Sequence, residues 1–264
     1  MAMTETQMEI RKMNVARGWI WVKHGYQLIM RNPMMSITFA MIGALAMFTL
    51  LRVPVLGPLI AILLMPVVIT GYMRVCRALE EEEDVELEHL FAGFRQRTAQ
   101  LIAIGSYLML GMLVSSMVMV ILGGEPLRTL LDSVNAASDP EMLLQSMWAA
   151  GSGVAFSLLV GFSLMCIMML AFQYAPMLVF FNNVPPIAAL RASLVGSLRN
   201  LIPYTVYNII MQIIAVVLSL LPFNIGLIVL LPLGLTSLYV SYRNIFPFAH
   251  ELAAIEPVTH NPEA

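Results

Sequence analysis

The sequence predicts an all-α polytopic membrane protein, a bundle of six transmembrane helices. Six apolar stretches recur along the 264 residues, most of them close to the roughly 20 residues that a helix needs to cross the hydrocarbon. Charged residues make up only 11% of the chain and hydrophobic residues 59%, whereas soluble domains carry about 25% charged residues. The basic residues also gather on one side of the apolar stretches. These three observations predict fold class and location, and they leave biochemical activity open.

The six apolar stretches are predicted to be membrane spans within a membrane domain of residues 34–246. They are Met34–Leu51, Val55–Cys76, Gln100–Leu122, Ala149–Tyr174, Pro203–Leu221 and Ile225–Phe246. If the chain enters from the cytoplasm, twelve of its fourteen Lys and Arg residues lie inside, and only Arg52 and Arg128 lie outside. Cytoplasmic loops carry such an excess. We therefore expect a polytopic membrane protein with a cytoplasmic N-terminus and a cytoplasmic C-terminal tail, residues 247–264.

Residues 1–33 are predicted to form a cytoplasmic tail and an interfacial amphipathic helix over Glu9–Asn32. The segment combines apolar bulk with basic residues: Trp19, Ile20, Tyr26, Ile29, Lys12, Arg17, Lys23 and Arg31. Aromatic and basic side chains favour the headgroup level of a membrane. Pro33 should end this helix and start the first span, because proline costs least in the first turn of a helix. The first apolar run follows this charged lead, so we expect no cleavable signal peptide.

The cytoplasmic segment 79–98 opens with the acidic run Glu80–Asp84. This run is interpreted either as a site for a divalent cation or partner, or as a solvated helix start whose carboxylates suit the positive end of the helix dipole. Apolar residues at helical spacing then predict one amphipathic helix: Leu87, Leu90, Phe91 and Phe94. A second interfacial helix is expected over 182–200. The outer loop 123–148 is predicted to carry a short helix along Leu127, Leu130, Leu131 and Val134.

Spans one and two resemble spans five and six, which predicts a parallel internal repeat. The matching pairs are Lys23 with Arg191, Arg31-Asn32 with Arg199-Asn200 and Pro54 with Pro222 at an offset of 168, and Pro66 with Pro232 and Arg77 with Arg243 at 166. Spans one and five both run outward, so the copies are related by an axis along the membrane normal.

Polar and helix-breaking residues within the spans mark a candidate cavity. Pro66 and Pro232 interrupt the two inward-running spans of the repeat, and Asn208 lies one turn before Gln212. Kinked helices can line a binding site, and an amide pair can contact a substrate. Packing kinks and hydrogen bonds to a neighbouring helix are the alternative interpretation.

No sequence motif for catalysis or cofactor binding is present, and no predicted span contains Asp or Glu. The absence of an intramembrane carboxylate argues against ion-coupled transport. Methionine is abundant, with 22 residues, and Met165, Cys166 and Met169 form a weak copper candidate because soft sulfur ligands select Cu(I). Apolar packing is the alternative. We expect no metal, no cofactor and no nucleic-acid partner.

Four basic residues are predicted contacts for anionic membrane lipids. Lys23, Arg31, Arg191 and Arg199 occupy equivalent positions in the two repeat copies, and Arg31 and Arg199 each directly precede an Asn before a span. Basic residues at the depth of the phosphates are attracted to an anionic leaflet. The alternative is that these residues act only as topology signals.

One stretch resembles a known family. Within Phe172–Asn208 the chain carries Ala175-Pro176, then Ala189-Leu190-Arg191-Ala192-Ser193, Leu198-Arg199-Asn200 and Tyr204. This pattern resembles an uncharacterised family of proteobacterial six-span inner-membrane proteins. More distantly it is similar to YciC-like proteins and to the membrane domains fused to some glycerophosphodiester phosphodiesterases. The resemblance implies a six-span fold and a location in a bacterial inner (plasma) membrane, but no activity, since no phosphodiesterase domain is present.

The sequence therefore favours a non-enzymatic structural or accessory protein. Such a protein would bind membrane lipids, a partner membrane protein or a second copy of itself. The alternative is a passive transporter or channel for a small or lipidic substrate, with its site at the Pro66 and Pro232 kinks.

Overall fold

A computed structural model describes residues 10–136, 140–149, 151–220 and 226–247, and every regular element among them is helical. The helices are α1 (Arg17–Arg31), α2 (Pro33–Leu51), α3 (Leu56–Glu80), α4 (Leu87–Leu90), α5 (Ala92–Arg95), α6 (Thr98–Ala136), α7 (Pro140–Ala149), α8 (Gly151–Phe181), α9 (Pro186–Arg199), α10 (Leu201–Ser219) and α11 (Leu227–Ile245). The predicted all-α class is confirmed for these residues.

Five helices in the described part of the chain are long and apolar enough to cross a membrane. They are α2, α3, α8, α10 and the Thr98–Val134 portion of α6. Helix α11 has 19 residues but ends in a polar stretch that includes Tyr239, Tyr242 and Arg243, and it is not among the five. The sixth crossing stays a prediction.

The chain divides into two compact units. Unit 1 comprises Met1–Ser106 and Ala171–Ala264, and unit 2 comprises Tyr107–Leu170. In unit 1, Val22 and Ile29 of α1 form a core cluster with Leu233 of α11. The inner face of α10 packs around this cluster through Tyr207, Ile210, Met211 and Ile214. Helix α1 is therefore part of the core of unit 1 rather than a helix that only rests on the membrane surface.

Two glycines allow α1 to approach α10 and α11 closely. A β-carbon on Gly18 would lie 2.8 Å from the backbone nitrogen of Tyr207, and one on Gly25 would lie 2.8 Å from the backbone nitrogen of Ser237. Both distances are shorter than van der Waals contact, so any larger residue would push the helices apart. The exposed face of α1 still carries two aromatic side chains, Trp19 and Tyr26.

Helix α1 begins at Arg17, not at Glu9 as the sequence pattern predicted. The physical reason is that the backbone of residues 11–13 forms hydrogen bonds to distant parts of unit 1. The Arg11 N–H donates to the carbonyl of Ile245 at 3.0 Å, and the Met13 N–H donates to the Oδ1 of Asn200 at 2.7 Å. These two bonds hold residues 11–13 in an extended path across unit 1.

The single amphipathic helix predicted over Leu87–Phe94 is two short helices, α4 and α5, that meet at Phe91. The carbonyl of Leu90 lies where a β-carbon of Gly71 in α3 would be, and a β-carbon on Gly93 would meet the carbonyl of Val67. Glycine at 71 and 93 thus lets the two short helices press their backbones onto α3. Leu90 is buried by this contact.

Most of the kinked helix α6 lies in unit 2. Gly124 takes a non-helical conformation, φ 54° and ψ −148°, a positive φ that glycine adopts without steric cost. This break lies two residues after the predicted end of the third span. Beyond it, Leu127 and Leu130 are buried with Val154 of α8. The outer segment therefore packs within unit 2, although Leu131 and Val134 remain exposed.

Candidate functional site

The acidic run lies at the C-terminal end of α3, not at a helix start as one interpretation had it. Its first residue, Glu80, is the last residue of α3, and Glu81 is the C-cap. Carboxylates at this end oppose the helix dipole, so they require compensation. We call this end of unit 1, formed by α1, α4, α5, α9 and the C-terminal ends of α3 and α11, the polar face.

Four glutamates of the run each pair with a different arginine. The pairs are Glu80 with Arg243 at 3.1 Å, Glu81 with Arg77 at 2.8 Å, Glu82 with Arg31 at 3.6 Å and Glu83 with Arg74 at 2.8 Å. These arginines come from α1, α3 and α11, so the run ties three helices together. The run is thus a structural joint, and the charges of these four glutamates are paired.

Arg31 has a further structural role. Its Nη1 donates to the backbone carbonyls of Leu79 at 2.7 Å and Glu80 at 2.9 Å. The last carbonyls of a helix have no partner within the helix, so the guanidinium of α1 caps α3. This predicted lipid contact is engaged inside the protein.

A cleft at the polar face contains two basic side chains. It has a volume of 500 Å³ and lies between the segment Lys12–Val15 and the junction of α9 with α10. Lys12 and Arg199 line it, both are exposed, and within the described chain neither forms an ion pair. Apolar side chains flank them: Val15, Leu198, Leu201 and Ile202 are all about half exposed or more. The cleft thus combines free positive charge with apolar walls.

Asn200 builds this cleft. Its Oδ1 accepts from the Met13 N–H at 2.7 Å, and its Nδ2 donates to the carbonyls of Arg11 at 3.0 Å and Gly196 at 2.9 Å. The side chain is almost fully buried. It therefore holds Lys12 opposite Arg199, and it makes no capping hydrogen bond to the first turn of α10.

The other two predicted lipid contacts, Lys23 and Arg191, are exposed on α1 and α9. Within the described part of the chain neither forms an ion pair. The structure thus places one of the four predicted residues, Arg199, in the basic cleft. Lys12 was not among the predicted lipid contacts, because no local pattern links it to residue 199. The repeated Arg-Asn before each span was the available signal for the role of Asn200.

Pro66 and Pro232 are both buried. Four residues after each proline stands a threonine whose hydroxyl donates to the proline carbonyl, at 2.6 Å from Thr70 and 2.9 Å from Thr236. Each of these two helices thus carries the same internal hydrogen bond. Neither proline is brought into contact with Asn208 or Gln212, which are exposed on α10.

An apolar groove lies beside the two proline-containing helices. It has a volume of 480 Å³ and is walled by α2, α3 and α11, with Leu90 of α4. Met65 and Leu231, which precede the prolines, line it, and the hydroxyl of its lining residue Tyr72 donates to the carbonyl of Ser36. The groove therefore offers a space for hydrocarbon.

The copper candidates lie on α8 in unit 2. Cys166 and Met169 are exposed, and Met165 is half-buried. Met168, their neighbour, packs over Gly111. Among the residues that the structure describes, no group of three or more His, Cys, Asp or Glu side chains could hold a metal ion.

Comparison with known proteins supports the location. No protein-family model matches the chain, and no solved structure matches it. The chain is similar to a probable inner membrane protein of Burkholderia thailandensis, with 28% identity over 218 residues that cover 77% of this chain and 75% of the relative. The more specific likeness to YciC-like proteins stays a prediction. The relative and the five apolar helices together support an integral, multi-pass inner-membrane protein.

Proposed function

We propose that this inner-membrane protein crosses the bilayer six times, with both termini in the cytoplasm. Helix α11 would be the sixth span. The distribution of charge supports the orientation, because the opposite one would translocate twelve of the fourteen basic residues. In this orientation the polar face meets the cytoplasmic leaflet.

We also propose that α2–α3 and α10–α11 are copies of one ancestral unit in parallel orientation. The Pro66–Thr70 and Pro232–Thr236 hydrogen bonds support the proposal, because both residues of each pair recur at the offset of 166. Asn32 and Asn200 likewise stand between an interfacial helix and a span. The two asparagines differ in detail, since Asn32 caps the Met35 N–H.

Our functional proposal is a non-enzymatic accessory protein that binds an anionic phospholipid in the basic cleft. One observation carries it: Lys12 and Arg199 face a common cleft and have no ion-pair partner in the described chain, whereas the arginines of the neighbouring acidic run are neutralised. A phosphate group between the two side chains would meet two positive charges. The acyl chains of the same lipid would lie along Leu201 and Ile202 on the outer surface of α10.

The expected affinity is modest but selective. A basic residue near an anionic leaflet gains about 1 kcal/mol, so two residues favour an anionic lipid over a zwitterionic one by about thirtyfold. Acyl chains gain no hydrophobic free energy on moving from bilayer to protein, because lipid tails are as apolar as the protein surface. Selectivity thus rests on the headgroup.

The test is lipid content after purification in mild detergent. Mass spectrometry should find phosphatidylglycerol or cardiolipin retained by the wild type and lost from a Lys12→Gln, Arg199→Gln variant. The matched control is Arg52→Gln with Arg128→Gln, which removes the same charge on the opposite side and should retain lipid. Unchanged lipid content in a correctly inserted cleft variant would reduce these residues to topology signals. Lys23→Gln with Arg191→Gln measures the remaining contribution of those two predicted contacts.

The apolar groove favours a second candidate function, passive movement of a lipidic molecule beside the Pro66 and Pro232 kinks. Its 480 Å³ falls within the roughly 300–1,000 Å³ of ligand pockets, and its walls exclude a polar substrate. Ala44→Phe would fill the groove, whereas Ala46→Phe projects from an exposed position of the same helix. Loss of fluorescent-lipid movement across vesicles in the first variant alone supports this function. Equal movement in both variants and in protein-free vesicles rejects it.

A further inference from the structure

Helix α10 carries a row of polar side chains on its outward face. Thr205, Asn208, Gln212 and Ser219 are all exposed, and we call them the amide stripe. Thr205, Gln212 and Ser219 are spaced by seven residues, or two helical turns, and Asn208 follows Thr205 by three. Core-facing residues of α10, such as Ile210 and Ile214, lie on the other side of the helix.

The stripe lies in a strongly apolar setting. Helix α10 is a candidate membrane span, and few of its residues are buried. Its exposed neighbours are large and apolar, for example Ile209, Ile213 and Val216. Polar side chains that face hydrocarbon are unfavourable unless they find hydrogen-bond partners.

Three side chains of the stripe donate a hydrogen bond to a backbone carbonyl of their own helix. Thr205 Oγ1 donates to Leu201, Asn208 Nδ2 to Tyr204 and Ser219 Oγ to Val216, in each case to the backbone carbonyl. Gln212 has no such bond among the described residues. Its amide offers two donors and one acceptor oxygen at the centre of the stripe, so this position requires a partner from outside the described chain.

We propose that the amide stripe joins two copies of this chain through an α10–α10 contact. A primary amide both donates and accepts, so Gln212 and Asn208 are complementary to the same residues of a second copy related by a two-fold axis. The three- and seven-residue spacing is that of the contacting positions of two packed helices. Ala215 occupies the next position in the series, and its small side chain allows the helices to approach closely.

The experiment is oxidative cross-linking in native membranes. Exposed Cys166 is first replaced by Ala, while Cys76 stays because it is buried. A cysteine is then introduced by Ala215→Cys, in line with the stripe, or by Ile213→Cys as the control on another exposed part of α10. Two differently tagged copies are co-expressed, so that a mixed-tag dimer identifies the partner as this chain.

We expect mixed-tag dimers with Ala215→Cys and at least about tenfold fewer with Ile213→Cys. Adding Asn208→Leu and Gln212→Leu to Ala215→Cys should lower the dimer yield by about tenfold, consistent with the loss of several interhelical hydrogen bonds. Replacing Asn208→Leu by Asn208→Gln in that variant should restore part of the dimer yield. Equal yields at both cysteines, adducts with another protein only, or a yield unchanged by the leucine substitutions would each overturn the proposal. The cleft variant Lys12→Gln, Arg199→Gln should cross-link normally, which separates this interface from lipid binding.

Discussion

The hydroxyl of Tyr239 lies 2.5 Å from a carboxylate oxygen of Glu80, 159 residues earlier in the chain. The tyrosine ring is buried, and the same carboxylate oxygen accepts from Arg243. The last residue of α3 is thus held by two side chains of α11. This contact joins α3 and α11, the corresponding second helices of the proposed repeat, so its loss should destabilise unit 1.

Tyr239→Phe should destabilise the protein by about 1–3 kcal/mol, because the carboxylate loses one hydrogen bond in a partly buried site. Thermal unfolding in detergent, followed by circular dichroism, measures the change. Tyr26→Phe is the control, since Tyr26 is exposed on α1 and should change stability little. Equal stability of the two variants would mean that the Glu80 bond contributes nothing.

Arg31→Gln should be more destabilising than Lys23→Gln, although both remove one positive charge from α1. Arg31 caps the carbonyls of Leu79 and Glu80, and hydrogen bonds of charged groups contribute about 1.5–3 kcal/mol. We expect a difference at the lower end of that range, because the Arg31 side chain is 46% exposed. Matching unfolding curves for both variants would contradict the capping role.

Acid should weaken one ion pair of the polar face. The hydrogen bond from Arg74, and then its positive charge, hold the pKa of Glu83 below its ordinary value of 4.5. A lowered folded-state pKa stabilises the fold above the unfolded-state pKa, and that contribution disappears as the pH falls through the lowered value. The wild type should therefore exceed Glu83→Gln in unfolding midpoint at about pH 6, and the difference should shrink as the pH falls below the ordinary value of 4.5. In an Arg74→Gln background the difference at the higher pH should vanish, and its persistence there would assign the shift to another group.

Gly71→Ala should destabilise unit 1, since the new methyl group would meet the carbonyl of Leu90. Overpacking of this kind typically costs about 1–3 kcal/mol. Gly153→Ala is the opposite control: nothing lies within 4 Å of its β-position, and alanine favours a helix over glycine by up to about 1 kcal/mol. Unfolding midpoints that move in opposite directions are the expected result. A stable Gly71→Ala protein would mean that α4 is not held tightly against α3.

Reporter fusions at the C-terminus and in the loop 123–148 should report opposite sides of the membrane. A fusion after Ala264 should report the cytoplasm, and one within Ala136–Asp139 should report the periplasm, from the division of the basic residues. Phosphatase and fluorescent-protein reporters give complementary readings. The same side for both sites would reject the proposed six-span topology.

Local features of the fold could be predicted from the sequence. Helix α2 begins at Pro33 and ends at Leu51, as the proline rule and the hydropathy of the stretch indicated. The break in α6 at Gly124 falls close to the predicted end of the third span. Both features depend on residues near one another in the chain. Proline and glycine restrict or free the local backbone, and the length of an apolar stretch sets the length of the helix.

Features that depend on distant residues could not be predicted. The start of α1 moves because Asn200 binds the backbone of residues 11–13. Helix α4 is separate from α5 because Leu90 of α4 packs on Gly71, and Gly93 of α5 packs on Val67. The basic cleft was missed for the same reason, since Lys12 meets Arg199 only in the folded chain. Counting charges also could not distinguish Arg31, which is hydrogen-bonded to the end of α3, from Arg199, which has no ion-pair partner among the described residues.

The joint between Glu80 and α11 has a consequence for biogenesis. During synthesis α3 is made long before Tyr239 and Arg243, so the Glu80 carboxylate lacks both partners until α11 emerges. In the proposed topology the arginines act separately as orientation signals during this time. Only arrival of the final helix closes the joint. We therefore expect nascent chains that stop before residue 239 to present an open, protease-sensitive polar face, which quality-control proteases can distinguish from finished protein.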